Sequence, residues 1–123
     1  MPSPASGDRR NIVDAALAIL ETKPHGPVSI SAICGVLGVG ERTLERAFQE
    51  CLGVNPRAYE RERRLRAAHG LLLTEGNHLS ITDIAMSFGF WHLGRFAGAY
   101  TALFGCPPSE TRRRIWRGAP QGG

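Results

Sequence analysis

A chain of 123 residues, 42% hydrophobic and 21% charged, is long enough to form one compact core without disulfides or bound metal. Its longest apolar runs are only a few residues, which excludes a transmembrane helix, and residues 1–7 lack the apolar segment of a signal peptide. A cytoplasmic protein is therefore expected. The net charge is +4, and fourteen of the fifteen Lys and Arg residues are arginine, whose planar guanidinium suits phosphate and guanine.

Every periodic segment has the spacing of an amphipathic helix, and none alternates as a β-strand does, which predicts an all-α fold. With their N-cap residues, the predicted helices are Asp8–Thr22, Ser29–Leu37, Glu41–Leu52, Asn55–Thr74, Ser80–Phe88, His92–Leu103 and Pro108–Trp116. Ser29 and Ser80 are typical N-caps, and Pro56 stands at the first helical position of the fourth helix. Gly38 and Gly53 are expected to end the second and third helices.

One helix-turn-helix pattern occurs twice in the chain. At an offset of 51 residues, the matched residues are Ser29, Ile30, Ile33, Gly38 and Val39 with Ser80, Ile81, Ile84, Gly89 and Phe90. After the turn the offset is 52, and the matched residues are Leu44, Phe48, Leu52, Gly53 and Pro56 with Phe96, Tyr100, Phe104, Gly105 and Pro108. One residue is therefore inserted in the second turn. This motif places a recognition helix in the major groove, so two copies predict a monomer that reads two neighbouring stretches of DNA.

Residues 29–59, 64–72 and 80–110 resemble the AraC/XylS DNA-binding domain, and the second unit carries the pattern Ile81, Ile84, Ala85, Gly89 and Phe90 of that family. The resemblance implies a seven-helix, bilobed domain in which a long central helix joins the two units. It also implies a sequence-specific transcription regulator that inserts two recognition helices into successive major-groove segments of double-stranded DNA. The expected divisions are a linker or disordered segment at 1–7, a first lobe at 8–54, a connecting helix at 55–75, a second lobe at 76–117 and a disordered tail at 118–123.

The third predicted helix is suited to reading bases. Arg42 and Arg46 lie one turn apart, and each could form two hydrogen bonds to guanine O6 and N7, or contact a phosphate. Glu45 could accept a hydrogen bond from cytosine N4, and the resemblance implies base contacts at all three positions. The alternative is an ordinary surface on which the charged side chains pair with one another. Pairing is also the prediction for the central helix, where Arg57, Arg61, Arg63, Arg64 and Arg66 are interleaved with Glu60 and Glu62.

The sixth predicted helix departs from the family pattern. Gly98 stands where an arginine is common and Gly94 is a second glycine, so Arg95 is the one base contact expected there. Two glycines suggest close approach of the backbone to DNA or to another helix. Contacts to the DNA backbone are expected from Ser29, Thr43, Gln49, Ser80, Thr82, Trp91 and His92. Core packing is the alternative for Trp91, and plain N-capping is the alternative for Ser29, Ser80 and Thr82.

The sequence indicates no catalytic residue, metal site or cofactor. Cys34, Cys51 and Cys106 form no disulfide or metal-ligand pattern, and Cys34 matches Ala85 in the repeat, which predicts a packing role. There is no phosphate-binding glycine loop or nucleophile elbow, so an enzyme is not expected. Two other classes remain as alternatives: a helical protein-interaction module, and a thiol-based sensor or DNA-repair protein that uses this fold.

The expected partners follow from the resemblance. Double-stranded DNA is the first, and RNA polymerase is a further one. Most family members join this domain to an N-terminal effector-binding or dimerising domain, so the chain is either a stand-alone regulator or a fragment of such a protein. It is expected in the cytoplasm, associated with the nucleoid and not with a membrane.

Overall fold

The computed structural model describes residues 6–74 and 78–118, with side chains at 8–74 and 78–115. The helices in this part of the chain are α1 Ser6–Glu21, α2 Ile30–Leu37, α3 Glu41–Leu52, α4 Pro56–Leu72, α5 Ile81–Ser87, α6 Leu93–Phe104 and α7 Pro108–Gly118. The described residues form no β-strand. The predicted all-α class, with seven helices, is therefore confirmed.

The predicted start of the first helix is wrong. Helix α1 begins at Ser6, inside the segment predicted to be linker, and Asp8 lies in its first turn instead of at the N-cap. A carboxylate in the first turn is favoured by the partial positive charge of the helix N-terminus, so it marks that end only to within a few residues. Helix α7 likewise runs to Gly118, the first residue of the predicted tail. The predictions for residues 1–5, 75–77 and 119–123 lie outside the described residues.

The chain divides into two compact units within α4, at residues 1–61 and 62–123. The core of the first unit is formed by α1, α2 and α3, with the buried residues Val13, Ala16, Leu20, Ile30, Ile33, Cys34, Leu44, Ala47 and Phe48. The core of the second unit contains Leu65, Ala68 and Leu72 of α4 with Ile84, Ala85, Phe88, Phe96 and Tyr100. Helix α4 therefore contributes residues to both units, whereas the sequence predicted a separate connecting segment.

The sequence repeat is also a repeat of backbone hydrogen bonds. At the first helix of each unit, the N–H of Ile33 donates to Ser29 O, and the equivalent N–H of Ile84 donates to Ser80 O. At the turn, the N–H of Val39 donates to Cys34 O, and the equivalent N–H of Phe90 donates to Ala85 O. At the start of the second helix of each unit, the N–H of Leu44 donates to Gly40 O, and the equivalent N–H of Phe96 donates to His92 O. At the end of that helix, the N–H of Gly53 donates to Gln49 O, and the equivalent N–H of Gly105 donates to Thr101 O. Gly38, Gly53, Gly89 and Gly105 have φ of 68°, 69°, 82° and 83°, the left-handed region that favours glycine. The extra residue of the second turn is Trp91.

The predicted exposure of the charged face of the central helix is wrong at two positions. Glu60 is buried, and its Oε2 accepts a hydrogen bond from the N–H of Val28 at 3.1 Å, just before the N-cap of α2 in the first unit. Arg64 is also buried, and its Nη1 donates to the carbonyl oxygen of Phe88 at 2.9 Å in the second unit. The Arg64 guanidinium lies 4.5 Å from the centre of the Phe90 ring. Each charged side chain is thus a structural support within its own unit.

A chain of hydrogen-bonded side chains lies in the second unit. Nδ1 of His69 is 2.7 Å from the hydroxyl oxygen of Tyr100, which donates to Oγ1 of Thr111 at 2.8 Å. Because the Tyr100 proton is directed to Thr111, the neutral His69 ring donates from Nδ1. Burial lowers the pKa of His69, and the nearby charge of Arg66 lowers it further.

We expect the second unit to lose stability as the pH falls below 6.5. The pKa of His69 lies below its ordinary value of 6.5 in the folded chain, so the unfolded chain binds the proton more readily. The stabilising contribution is therefore complete above pH 6.5 and is lost as the pH falls through the folded pKa. Urea unfolding at about pH 7.5 and about pH 5.5 measures the change. His69→Gln should reduce this pH dependence, and an equal dependence in the two proteins would contradict the assignment.

Candidate DNA-binding surface

Helix α3 buries one side in the first unit and presents the other to solvent. Leu44, Ala47 and Phe48 form the buried side. The other side carries the predicted contact residues, of which Arg42, Arg46 and Gln49 are exposed and Thr43 and Glu45 are half-buried. With 3.6 residues per turn, Arg42, Arg46 and Gln49 lie along one strip of the helix. The structure therefore places the two predicted base-reading arginines of the first unit on the same strip as Gln49, a predicted backbone contact.

The two arginines of this strip are not neutralised by the glutamates of their own helix. The ion pairs that α3 forms through its glutamates are Arg57–Glu41, with 3.2 Å between Nη2 and Oε2, and Arg9–Glu50. Within the described part of the chain, Arg42 and Arg46 form no ion pair. Pairing of these two arginines is therefore not observed among the described residues, where both side chains are exposed.

Helix α6 presents a face with few side chains. Phe96 and Tyr100 are buried, and the exposed residues of its first two turns are Leu93, Gly94, Arg95 and Gly98. A Cβ atom at Gly94 or Gly98 would have no heavy atom within 4 Å, so no other described helix approaches these glycines. Close helix packing, one of the two reasons considered for them, is thus not observed. Arg95 forms no ion pair with any described residue.

Trp91 lies at the surface of the second unit. Its side chain is 69% exposed, so the core-packing alternative is wrong. The next residue, His92, is the N-cap of α6 and is also exposed. Both side chains are accessible at the start of α6, where a phosphate contact is predicted for them.

The helices of the two helix-turn-helix units begin in two different ways. The hydroxyl oxygens of Ser29 and Ser80 each accept a hydrogen bond from the N–H three residues later, at 3.3 and 3.0 Å, which confirms that both serines are N-caps. Thr82 is exposed in the first turn of α5. Helices α3 and α6 start after Gly40 and His92, and neither residue provides a side-chain cap in the described structure. First-turn N–H groups of α3 and α6 can therefore meet acceptor atoms of a ligand.

The Cys34 side chain lies in the core of the first unit. Cys34 is buried, which confirms its predicted packing role. Burial raises the pKa of the Cys34 thiol, and Glu41 raises it further, so the reactive thiolate is disfavoured. Among the described residues, no three His, Cys, Asp or Glu side chains lie close enough to hold a metal ion. None of the described helices has the length and apolar character needed to cross a membrane.

Three matches to known proteins agree with this geometry. A helix-turn-helix domain family matches residues 33–114. The solved structure of a probable AraC family transcriptional regulator from Rhodopseudomonas palustris is 34% identical with a TM-score of 0.79, over 85% of this chain and 97% of that one. A transcriptional regulator with an AraC-type DNA-binding domain from Chromobacterium violaceum is 31% identical with a TM-score of 0.78, over 93% of this chain and 96% of that one.

A longer relative is the probable thc operon regulatory protein of Rhodococcus erythropolis, which is 36% identical over 105 residues. The match covers 85% of this chain and 32% of that protein, so the chain spans about a third of its length. The family match includes both turns with left-handed glycines and both exposed helices. The chain belongs to the AraC/XylS family of DNA-binding helix-turn-helix transcription regulators.

Proposed function

We propose that the chain binds double-stranded DNA sequence-specifically as a monomer, with α3 and α6 in successive major-groove segments. The observation that carries this proposal is the structural repeat. Each unit presents one exposed helix after a glycine turn, the two turns share equivalent backbone hydrogen bonds, and neither helix has a side-chain cap at its N-terminus. The N-terminal residues of a recognition helix are the ones that reach base edges. Helix α4 carries the chain from one unit to the other, so the two recognition helices are covalently linked.

The proposed contacts differ between the two helices. On α3, Arg42 and Arg46 contact guanine and Glu45 contacts cytosine, and on α6, Arg95 is the base contact. Contacts to the DNA backbone come from Ser29, Thr43, Gln49, Ser80, Thr82, Trp91 and His92. Exposure supports these roles for all of the backbone group except Thr43, which is half-buried. A half-buried threonine can still direct its hydroxyl to a phosphate at the edge of the interface.

The proposal extends to the setting in which this domain works. Regulation would occur in the cytoplasm, with the protein bound to the nucleoid and without an enzymatic step. RNA polymerase and an N-terminal effector-binding domain are the protein partners that fit a regulator of this family. These partners would determine whether transcription is activated or repressed, whereas α3 and α6 would determine which DNA site is bound.

We expect binding to depend strongly on salt and to protect two adjacent major-groove segments on one face of the duplex. Duplexes selected from a random pool would supply the site for footprinting and for affinity measurements. Neutralising about six phosphates lowers affinity by roughly 10³-fold between about 50 and 200 mM salt. Inserting about five base pairs, half a helical turn, between the two half-sites should abolish the affinity that the second half-site contributes.

Two results would count against this function. Protection of a single groove segment, or an affinity that stays constant over the salt range, would show that α3 and α6 do not bind DNA together. Failure to enrich any duplex, with capture of a protein partner instead, would favour the interaction-module alternative. A scrambled duplex of equal length serves as the control for non-specific binding.

A further inference from the structure

An exposed leucine stands at the start of α6, where the first unit has a charged residue. By the repeat, Leu93 is equivalent to Glu41, and Gly94 and Gly98 are equivalent to Arg42 and Arg46. The Leu93 side chain is 43% exposed although it belongs to a helix whose buried side is formed by Phe96 and Tyr100. Leaving this apolar surface in water is unfavourable, so a partner that covers it would gain binding free energy.

The neighbouring positions leave Leu93 prominent on this face. Ala97 follows it by one turn on the same strip and is half-buried. Gly94 and Gly98 add no side chain, and the space where their Cβ atoms would lie is open to 4 Å. The next hydroxyl, Oγ1 of Thr101, donates to the carbonyl oxygen of Ala97 at 2.7 Å within the helix. The exposed face of α6 is therefore apolar at its N-terminal end, and its two glycines allow the helix backbone to come close to a ligand.

We propose that Leu93, with the methyl group of Ala97, recognises thymine C5-methyl groups in the second half-site. This inference rests on the proposed DNA-binding function. In the major groove, thymine presents an apolar group, whereas the other base edges present hydrogen-bond donors and acceptors. A leucine placed against a donor or acceptor would remove its water without replacing the hydrogen bond. Against a methyl group it buries apolar surface on both sides.

DNA fits this end of α6 better than an apolar protein groove does. Arg95 is exposed two residues after Leu93 in the first turn of α6, and His92 leaves the first-turn N–H groups without a side-chain cap. A cation and a helix N-terminus both favour an anionic partner. An apolar groove would cover Leu93 but would leave the charge and the N–H groups without partners. A duplex can supply phosphate oxygens and a methyl group at the same place.

The test replaces thymine by deoxyuridine, which removes the methyl group and keeps the base pair. Each thymine of the second half-site in the selected duplex is replaced in turn, and affinity is measured for the wild type and for Leu93→Ala. We expect one or two positions at which the wild type loses affinity about fourfold, or about 0.8 kcal/mol per methyl group. Leu93→Ala should show no loss at those positions.

Two further variants sharpen the test. Leu73→Ala is the matched control, because Leu73 is also 43% exposed in the second unit but follows the C-terminal end of α4. It should lose affinity on methyl removal as the wild type does. Leu93→Gln introduces an amide that can pair with adenine N6 and N7, so it should shift the preferred base at that position from thymine to adenine. Unchanged circular dichroism of each variant confirms that it is folded.

The inference is overturned if the second half-site contains no thymine, if the wild type tolerates deoxyuridine, or if Leu93→Ala still loses affinity on methyl removal. In each of these cases the protein still binds a selected duplex, so the proposed function survives. If no duplex is selected at all, the proposed function fails, and the inference fails with it.

Discussion

Arg46→Ala is expected to lower affinity for the selected duplex by about 5- to 150-fold, which corresponds to the 1–3 kcal/mol of one bidentate arginine–guanine contact. Arg46 is exposed on the same strip of α3 as Arg42 and forms no ion pair with a described residue. Alanine is the strongest helix former, so α3 should remain intact. Because a base contact discriminates between bases, the base preference should be relaxed at one or two base pairs of the first half-site and unchanged elsewhere.

The measurement is a base-by-base affinity profile of Arg46→Ala against the wild type. Arg10→Ala is the matched control, since Arg10 is also an exposed arginine of the first unit but lies on α1, where it is 3.4 Å from Asp14. It should leave the base preference unchanged. A uniform loss for every duplex, with a shallower salt dependence, would show that Arg46 contacts phosphate and that its assignment as a base contact is wrong.

The elements that could be predicted from the sequence are those with local causes. Ser29 and Ser80 cap their helices through hydrogen bonds that span three residues, so a short pattern suffices to identify them. Gly38 and Gly53 lie in a left-handed conformation that few other residues adopt. The repeat added a second, independent copy of each signal. Helix ends without such a residue, as at the start of α1, were misplaced by up to three positions.

The buried charges of α4 could not be recognised from composition. A run rich in arginine and glutamate usually forms a solvated face, yet Glu60 and Arg64 are buried. The periodicity did contain a signal, because they continue a series of four-residue steps through the buried Pro56, Ala68 and Leu72. Glu60 accepts from a main-chain N–H and Arg64 donates to a main-chain carbonyl, both distant in sequence, and only the fold shows those two contacts.

The second recognition helix shows a different limit. From the sequence, Leu93 was assigned no contact, because the family pattern favours polar side chains on this helix. How far its side chain is exposed depends on which residues form the buried side, and the structure shows these to be Phe96 and Tyr100. Trp91 was undecided for the same reason, because an aromatic residue in a turn can pack inward or lie at the surface. Burial is a tertiary property, and periodicity is ambiguous at the end of a helix.

Arg64→Ala is expected to lower the free energy of unfolding of the second unit by about 3 kcal/mol. A hydrogen bond from a charged donor contributes about 1.5–3 kcal/mol, and a desolvated cation–π contact adds up to about 2 kcal/mol. Part of this gain is offset because burying the guanidinium is itself costly. The substitution also removes a hydrogen-bond donor from Phe88 O, at the turn that precedes α6. For a unit of this size the midpoint temperature should fall by on the order of 10–20 °C.

Both tryptophans of the chain, Trp91 and Trp116, belong to the second unit, so urea unfolding followed by tryptophan fluorescence reports on that unit. Arg66→Ala is the matched control, because Arg66 is exposed and lies 4.0 Å from Glu62, a pair expected to contribute under about 0.5 kcal/mol. Arg64→Lys should fall between the two, since it keeps the charge near Phe90 but loses the planar fork. Equal stability of Arg64→Ala and Arg66→Ala would show that the turn does not depend on Arg64. With the predicted loss, binding to the second half-site should weaken first on warming, because Arg64 supports the turn from which α6 begins.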